Sequence, residues 1–357
     1  MKLNIIHITP DFNYACGRSY YVYLLLKYQS RKHRVILLTD KGDSFDRLTD
    51  LNINFIRIRN LHSKNPVAFA NNVRLILSLV KSFQAQILHT HHRYSEFLAV
   101  NAKKLLRNRF LTIFTSLSIV NRKYNVEYQS DRIIAVSKTI RNMLINRFKV
   151  DRNKISLIPN FTDTDEINEL ELLSPFVSDD YHGYTLLAIG RFHRDKNFEI
   201  ILRAMKALNE KRLRLLLVGE GELYDTYRQY IDEYNLNVEI HKPSRNLLQY
   251  FLTANICILP SVREPFPNFM LQSGLHRKPF IGANVDGISE LIVDGHNGLL
   301  FRSNDHMELA EKILLFRQDR KLALRCANNL YKDIVNHYTQ EFIIPEIEKL
   351  YFSLLKD

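Results

Sequence analysis

Short apolar runs alternate with amphipathic stretches along most of the chain. The first run, "KLNIIHIT", has the density of a buried strand, and it leads through a glycine-containing turn, "NYACGRS", into the amphipathic stretch "YYVYLLLKYQS". "RVILLT", "NFIRIR", "QILHTH", "LTIFTSL", "RIIAVS" and "ISLIPN" follow as further strands, separated by helical stretches such as "NPVAFANNVRLILSLVKSF". Apolar strands alternating with helices predict a parallel sheet with helices on both faces.

The pattern breaks at "NFTDTDEINELELLSPFVSDDYHGY", which is acidic, polar and poor in strand signal, and reads as an interdomain connection. A second series then begins: strand "YTLLAIG", helix "NFEIILRAMKALNE", strand "LRLLLVG", helix "LYDTYRQYIDEYN", strand "VEIH", helix "NLLQYFLTA", strand "ICILPS". A kinked helix entry, strand "PFIGAN" and helices to the end complete it. The expectation is an α/β protein of two doubly wound, Rossmann-like domains facing a cleft. The domains are expected over residues 1–165 and 180–335, with a C-terminal helix over 336–357 packing back on the first. Open α/β sheets bind ligands at the carboxyl ends of their strands, so those ends are where chemistry is sought.

Composition narrows the class. The chain has 357 residues, 46% hydrophobic and 25% charged, which suits a globular protein with a sizeable core. No run approaches the roughly 18 apolar residues of a membrane span. The N-terminus lacks a signal peptide's long apolar region, so a cytoplasmic location is expected. Cys16, Cys257 and Cys326 show neither metal nor disulfide spacing. Charge is uneven: residues 1–160 hold 27 Lys and Arg against 9 Asp and Glu, a net of +18, while the remainder is net −6. Clusters such as "SRKHR" (Ser30–Arg34) and "KKLLRNR" (Lys103–Arg109) are either a solubilising surface or a face for an anionic partner. A nucleic-acid partner would call for aromatic or groove-reading motifs, which are absent.

Three strand ends of the second series carry candidate chemistry. "AIGRFHRDKN" ends a strand at Gly190 and sets Arg191 and Lys196 before a helix, either as a solvated loop or as a phosphate site made by charge and helix dipole. "LVGEGEL" offers Gly219 and Gly221, which allow a close backbone approach to a ligand. "ILPSVREPFPNFMLQSG" places Glu264 before Pro265 and Pro267, with the amides of Asn268, Phe269 and Met270 opening a helix and Gln272 further along it. Those amides suit a diphosphate, while Glu264 and Gln272 suit sugar hydroxyls. The alternative is that Glu264 merely favours the helix N-terminus and Gln272 packs.

On these pieces the chain resembles the family 4 glycosyltransferases of the GT-B fold, in particular bacterial enzymes of cell-surface polysaccharide and lipopolysaccharide synthesis. The resemblance covers nearly the whole chain and is most specific in "ICILPSVREPFPNFMLQSG" and "GISELIVDGHNGLLF". It implies a retaining transfer from a nucleoside-diphosphate sugar, UDP first, to a glycan or lipid-linked glycan. No metal or other cofactor is implied. Arg191 and Lys196 would neutralise the donor diphosphate, and Glu264 would face the donor sugar. Gln272 stands where relatives carry a second Glu that contacts the ribose. His91 would contact the transferred sugar, His89 more weakly, and Gly17 and Asp11 would belong to a loop near the donor phosphates or acceptor. The loop after "GANVDG" and Glu290 would line the nucleotide side. The family pattern departs at "CGRS", where a Gly-Gly pair is common, and at "FTSLS", where a His is common. The basic first half would take the acceptor and dock peripherally on the anionic inner face of the cytoplasmic membrane. Gln272 also motivates a rival reading, a catalytically weak or inactive glycan- or nucleotide-binding relative.

Overall fold

The computed structural model describes residues 1–106, 109–123, 127–167 and 183–355. Most of the acidic stretch expected to join the domains lies outside these, as do Arg107 and Asn108 of one basic cluster. The chain forms two compact units: Met1–Asn160 with Gln340–Asp357, and Phe161–Thr339.

In the first unit the strands are β1 (Asn4–Ile8), β3 (Arg34–Thr39), β5 (Asn54–Arg57), β6 (Ile87–Thr90), β7 (Leu111–Ser116), β8 (Arg132–Ala135) and β9 (Ile155–Leu157), ordered 5-3-1-6-7-8-9 and all parallel. The chain order reverses between β1 and β6, and such a reversal opens a crevice at the strand ends. The helices are α1 (Gly17–Gln29), α2 (Asp46–Asp50), α3 (Pro66–Phe83), α4 (Arg93–Leu105) and α5 (Lys138–Asn142). The start of α3 is written in the sequence: the Asn65 side chain accepts from the Val67 and Ala68 amides, and Pro66 takes the first helical position. Its buried Val73, Ile76 and Val80 recur at helical spacing and join Ile6, Ile8 and Leu88 of the sheet in one core. The last helix of the chain, Gln340–Leu354, belongs to this unit and packs on α1.

The second unit has strands β10 (Tyr184–Ile189), β11 (Leu213–Val218), β12 (Val238–His241), β13 (Ile256–Leu259), β14 (Phe280–Ala283) and β15 (Leu299–Phe301), ordered 12-11-10-13-14-15, again all parallel. The reversal here falls between β10 and β13. The helices are α6 (Glu199–Leu208), α7 (Tyr224–Glu233), α8 (Leu248–Thr253), α9 (Asn268–Leu275), α10 (Ile288–Leu291), α11 (His306–Gln318) and α12 (Arg320–His337), followed by α13, the returning Gln340–Leu354.

Two features correct the sequence reading. β15 interrupts what reads as helices to the end, because a three-residue strand carries no period of its own and is defined by pairing with β14. A small parallel pair, β2 (Asp11–Phe12) with β4 (Lys41–Gly42), also escapes it.

Candidate active site

The second unit assembles its candidate residues at the reversal between β10 and β13. After β10 the chain passes Gly190 and buries the Phe192 ring against Phe198 and Tyr227, at 6.0 and 5.4 Å between centroids. That anchor holds the loop of Arg191 to Asn197, which enters α6 through a left-handed Asn197. After β13, Ser261 and Glu264 sit in the next loop. Lys196 Nζ forms an ion pair with the Glu264 carboxylate, and Ser261 Oγ donates to the same oxygen at 3.1 Å. The main chain ties these loops as well: the Val262 amide donates to the Asp195 carbonyl at 2.9 Å. The loop after β14 joins them, with the Glu264 amide donating to Asp286 at 3.2 Å and the Gly287 amide to the Glu264 carbonyl at 2.9 Å. A Cβ on Gly287 would lie 1.9 Å from the Pro265 carbonyl oxygen, so this approach requires glycine.

Glu264 is therefore 6% exposed and held, rather than turned out to solvent. Lys196 shares its charge with it, while Arg191 is exposed and makes no ion pair or side-chain hydrogen bond among the described residues. α9 (Asn268–Leu275) opens behind Pro267 with no side-chain cap, so the amides of Phe269 and Met270 in its first turn meet no acceptor from the cap residue. Phe269 and Met270 are buried as whole residues. Gln272 is half-buried on the second turn, and its amide makes no side-chain hydrogen bond among the described residues. Gly219 and Gly221 are required by the chain itself: their Cβ positions would meet the Gly190 carbonyl at 2.0 Å and the Phe192 carbonyl at 2.5 Å.

The first unit gathers Asp11, Gly17, His89 and His91 near the reversal between β1 and β6. Gly17 is exposed and starts α1. Asp11 is paired with Arg18 at 2.7 Å. His89 lies in β6, opposite His7 of β1 in the register, and His91 follows two residues on, so strand alternation puts it on the same side. His7 Nδ1 and His91 Nε2 are 3.0 Å apart, and His7 Nε2 is 2.8 Å from Gln29 Oε1. His89 bridges the Tyr351 hydroxyl and Thr115 Oγ1, each at 2.6 Å. Burial pushes His7 down to about 4 and holds His89 and His91 well below the ordinary imidazole value, so all three are neutral at pH 7. Their ring nitrogens lie within 4.8 Å of one another, close enough to hold a metal ion. Both nitrogens of His7 and of His89 are already engaged with neighbouring side chains, so the set is a hydrogen-bonded cluster in this state.

A cavity of about 550 Å³ adjoins this cluster, and Arg18, His62, His91, His92, Arg93, Tyr94 and Phe114 are among its walls. Its further wall is the loop of Glu127 and Tyr128, which buried Glu96 pins by accepting from the Tyr128 and Ser130 amides at 2.8 and 3.1 Å. Arg93 is ion-paired with Glu127. Sequence reasoning missed Gln29, Arg18, His62, Ser261, Asp286 and Tyr351. Pairing of β1 with β6 could have brought in His7, but nothing in the sequence links Tyr351 to a histidine 262 positions earlier.

Comparison with known proteins adds the family. The family model described as Glycosyltransferase Family 4 matches residues 17–166, and that described as Glycosyl transferases group 1 matches residues 180–333. An uncharacterised glycosyltransferase of Methanocaldococcus jannaschii is 25% identical over 326 residues, 87% of this chain and 88% of that protein. The UDP-Gal:alpha-D-GlcNAc-diphosphoundecaprenol alpha-1,3-galactosyltransferase of Escherichia coli is 24% identical over 240 residues, 63% of this chain and 60% of the relative. The crystal structure of Anabaena HepE in complex with UDP and glucose superposes with a TM-score of 0.84 at 15% identity, covering 98% of this chain and 99% of that one.

Proposed function

The chain belongs to the glycosyltransferases of the GT-B fold, with a family 4 domain followed by a group 1 domain, and on that premise we propose that it moves a sugar from a nucleoside-diphosphate donor to a glycan or lipid-linked glycan acceptor with retention of anomeric configuration. UDP is the donor nucleotide of this reading. It is supported by the HepE complex with UDP and glucose and by the UDP-Gal named for the E. coli relative. That relative's diphosphoundecaprenol acceptor supports a lipid-linked glycan.

The observation that carries the reading is the tie between Lys196 and Glu264 at the reversal of the second sheet, with Arg191 of the same loop unpaired among the described residues and an uncapped helix start following. As the bond from the anomeric carbon to the donor phosphate breaks, its electron pair leaves with the diphosphate, the acceptor hydroxyl oxygen bonds to the same face of that carbon, and the hydroxyl proton passes to the leaving phosphate oxygen. Arg191 and the α9 amides stabilise that charge, and Lys196 joins them as it is drawn from Glu264. Glu264, released in part, accepts from hydroxyls of the donor sugar. No metal is assigned to these steps. Gln272 in place of a carboxylate favours one rival, a nucleotide-binding relative with weak or no turnover.

The test is nucleotide release from a panel of UDP- and GDP-sugars with undecaprenyl-diphosphate-linked acceptors, followed by the anomeric configuration of the product. The expected result is turnover with one donor and retention. Arg191→Ala should lower kcat by about a hundredfold. Nucleotide binding without release from any sugar would establish the rival, and an inverted product would overturn retention.

A further inference from the structure

The buried histidines of the first unit have an order of donors and acceptors fixed from one end. Gln29 Nε2–H donates to the Tyr351 hydroxyl at 3.2 Å, which turns Gln29 Oε1 toward His7 Nε2 at 2.8 Å. An amide oxygen only accepts, so His7 carries its proton on Nε2 and its Nδ1 is bare. His91 Nε2, 3.0 Å from that bare nitrogen, must donate. Both rings are neutral, with one proton each, so His91 Nδ1 is left as a lone pair. His89 does not intervene, because it takes the Tyr351 hydroxyl proton on Nδ1 and donates from Nε2 to Thr115.

That lone pair has no partner among the described residues, although His91 is 2% exposed and forms part of the cavity wall. Three other residues of the same wall share the feature: Arg18 Nε, His62 Nδ1 and the Tyr128 hydroxyl are buried and without a partner among the described residues. Buried polar atoms without partners are uncommon in folded proteins, and four on residues of one cavity mark it as a place for a polar ligand. The ligand must donate to His91 and accept from Arg18. A hydroxyl does both, whereas a phosphomonoester dianion or a carboxylate cannot donate. Charge agrees, because Asp11 and Glu127 pair with Arg18 and Arg93, and Lys64, the third cation of the wall, is also engaged with a neighbour. Tyr94, Phe97 and Phe114 supply apolar faces of the kind that pack against the C–H face of a sugar ring.

We propose that this cavity holds a neutral sugar residue of the acceptor, with a ring hydroxyl donating to His91 Nδ1, and that Gln29 and His7 are positioning residues that keep that nitrogen an acceptor. This rests on the transferase reading and adds the chemistry of its acceptor site. His7→Leu removes the bare nitrogen that His91 faces and frees the ring to change tautomer. His7→Asn keeps an oxygen close to the former Nδ1 position.

The experiment is nitrogen NMR of the whole protein labelled at histidine, with the His91 signals identified by their loss in His91→Gln. In the wild type, His91 should show a bare Nδ1, and glucose or N-acetylglucosamine should shift that resonance while acetate and methyl phosphate, anions without a donor, should not. A protonated Nδ1 in the wild type, no shift with either neutral sugar, or an equal shift with the anions would overturn the proposal. In turnover, His7→Leu should lower acceptor kcat/KM by roughly tenfold, with His7→Asn restoring most of it and donor affinity unchanged. Equal loss in both variants would reduce His7 to a structural residue and overturn its positioning role. Nucleotide titration of the same samples separates the failures: absent donor binding refutes the transferase reading, whereas intact donor binding with a silent His91 refutes this inference alone.

Discussion

Arg191, Lys196 and Glu264 divide labour in a way that residue types alone do not reveal. Lys196 and Glu264 neutralise each other, so among the described residues the free positive charge at the end of β10 is that of Arg191 and Arg194. Truncating Lys196 leaves a buried carboxylate without its cation. Lys196→Ala is therefore expected to lower the melting temperature, and Lys196→Ala with Glu264→Gln to recover it, as read by calorimetry. Gln272 gives the opposite kind of prediction. A carboxylate accepts a ribose hydroxyl more strongly than an amide, by about 1 kcal/mol, so Gln272→Glu should tighten nucleotide binding roughly fivefold in a titration. Unchanged affinity would remove this residue from the donor site.

At the scale of elements, most of the fold was legible because strands buried on both faces read as continuous apolar runs. "RVILLT" and "LRLLLV" coincide with β3 and β11, and Asn65-Pro66 marks the start of α3 in the sequence itself. β15 and the β2–β4 pair were not legible, since two or three residues become a strand only by pairing with a partner. The candidate site divides along the same line. Glu264, Arg191 and Lys196 could be found because they follow strands directly. The Gln29–His7–His91 order and the Tyr351 anchor depend on side chains that meet only after the sheet is paired and the last helix returns. Gly219 shows how the elements constrain substitution. A Cβ there would fall 2.0 Å from the Gly190 carbonyl and 2.5 Å from the Phe192 ring. Gly219→Ala should cost about 1–3 kcal/mol in denaturant unfolding and loosen the Arg191 loop. A neutral effect would show that the two strand ends can part freely.

At the scale of the whole molecule, charge and buried imidazoles govern the response to solution conditions. Burial puts His62 at about 3 and His7, His92 and His276 at about 4, all below the ordinary 6.5. The unfolded chain therefore takes up more protons as pH falls below 6.5. Stability conferred by these neutral rings is full above that pH and declines down to about 4, by about 1.4 kcal/mol per pH unit for each excluded proton. Melting temperature against pH should fall steeply across this window, and a flat profile would show that the rings reach water. The net +18 of residues 1–160 predicts binding to anionic liposomes that weakens with salt, and no helix among the described residues is long and apolar enough to cross a membrane. The measurement that bears most directly on the central claim is thermal unfolding with UDP, GDP and ADP, run in parallel on Arg191→Ala. A nucleotide at a hundred times its dissociation constant should add about 2.7 kcal/mol of stability. The account predicts a clear rise with one diphosphate, UDP first, that disappears in the variant. No rise with any of the three, or an equal rise in both proteins, would contradict a diphosphate seated on Arg191.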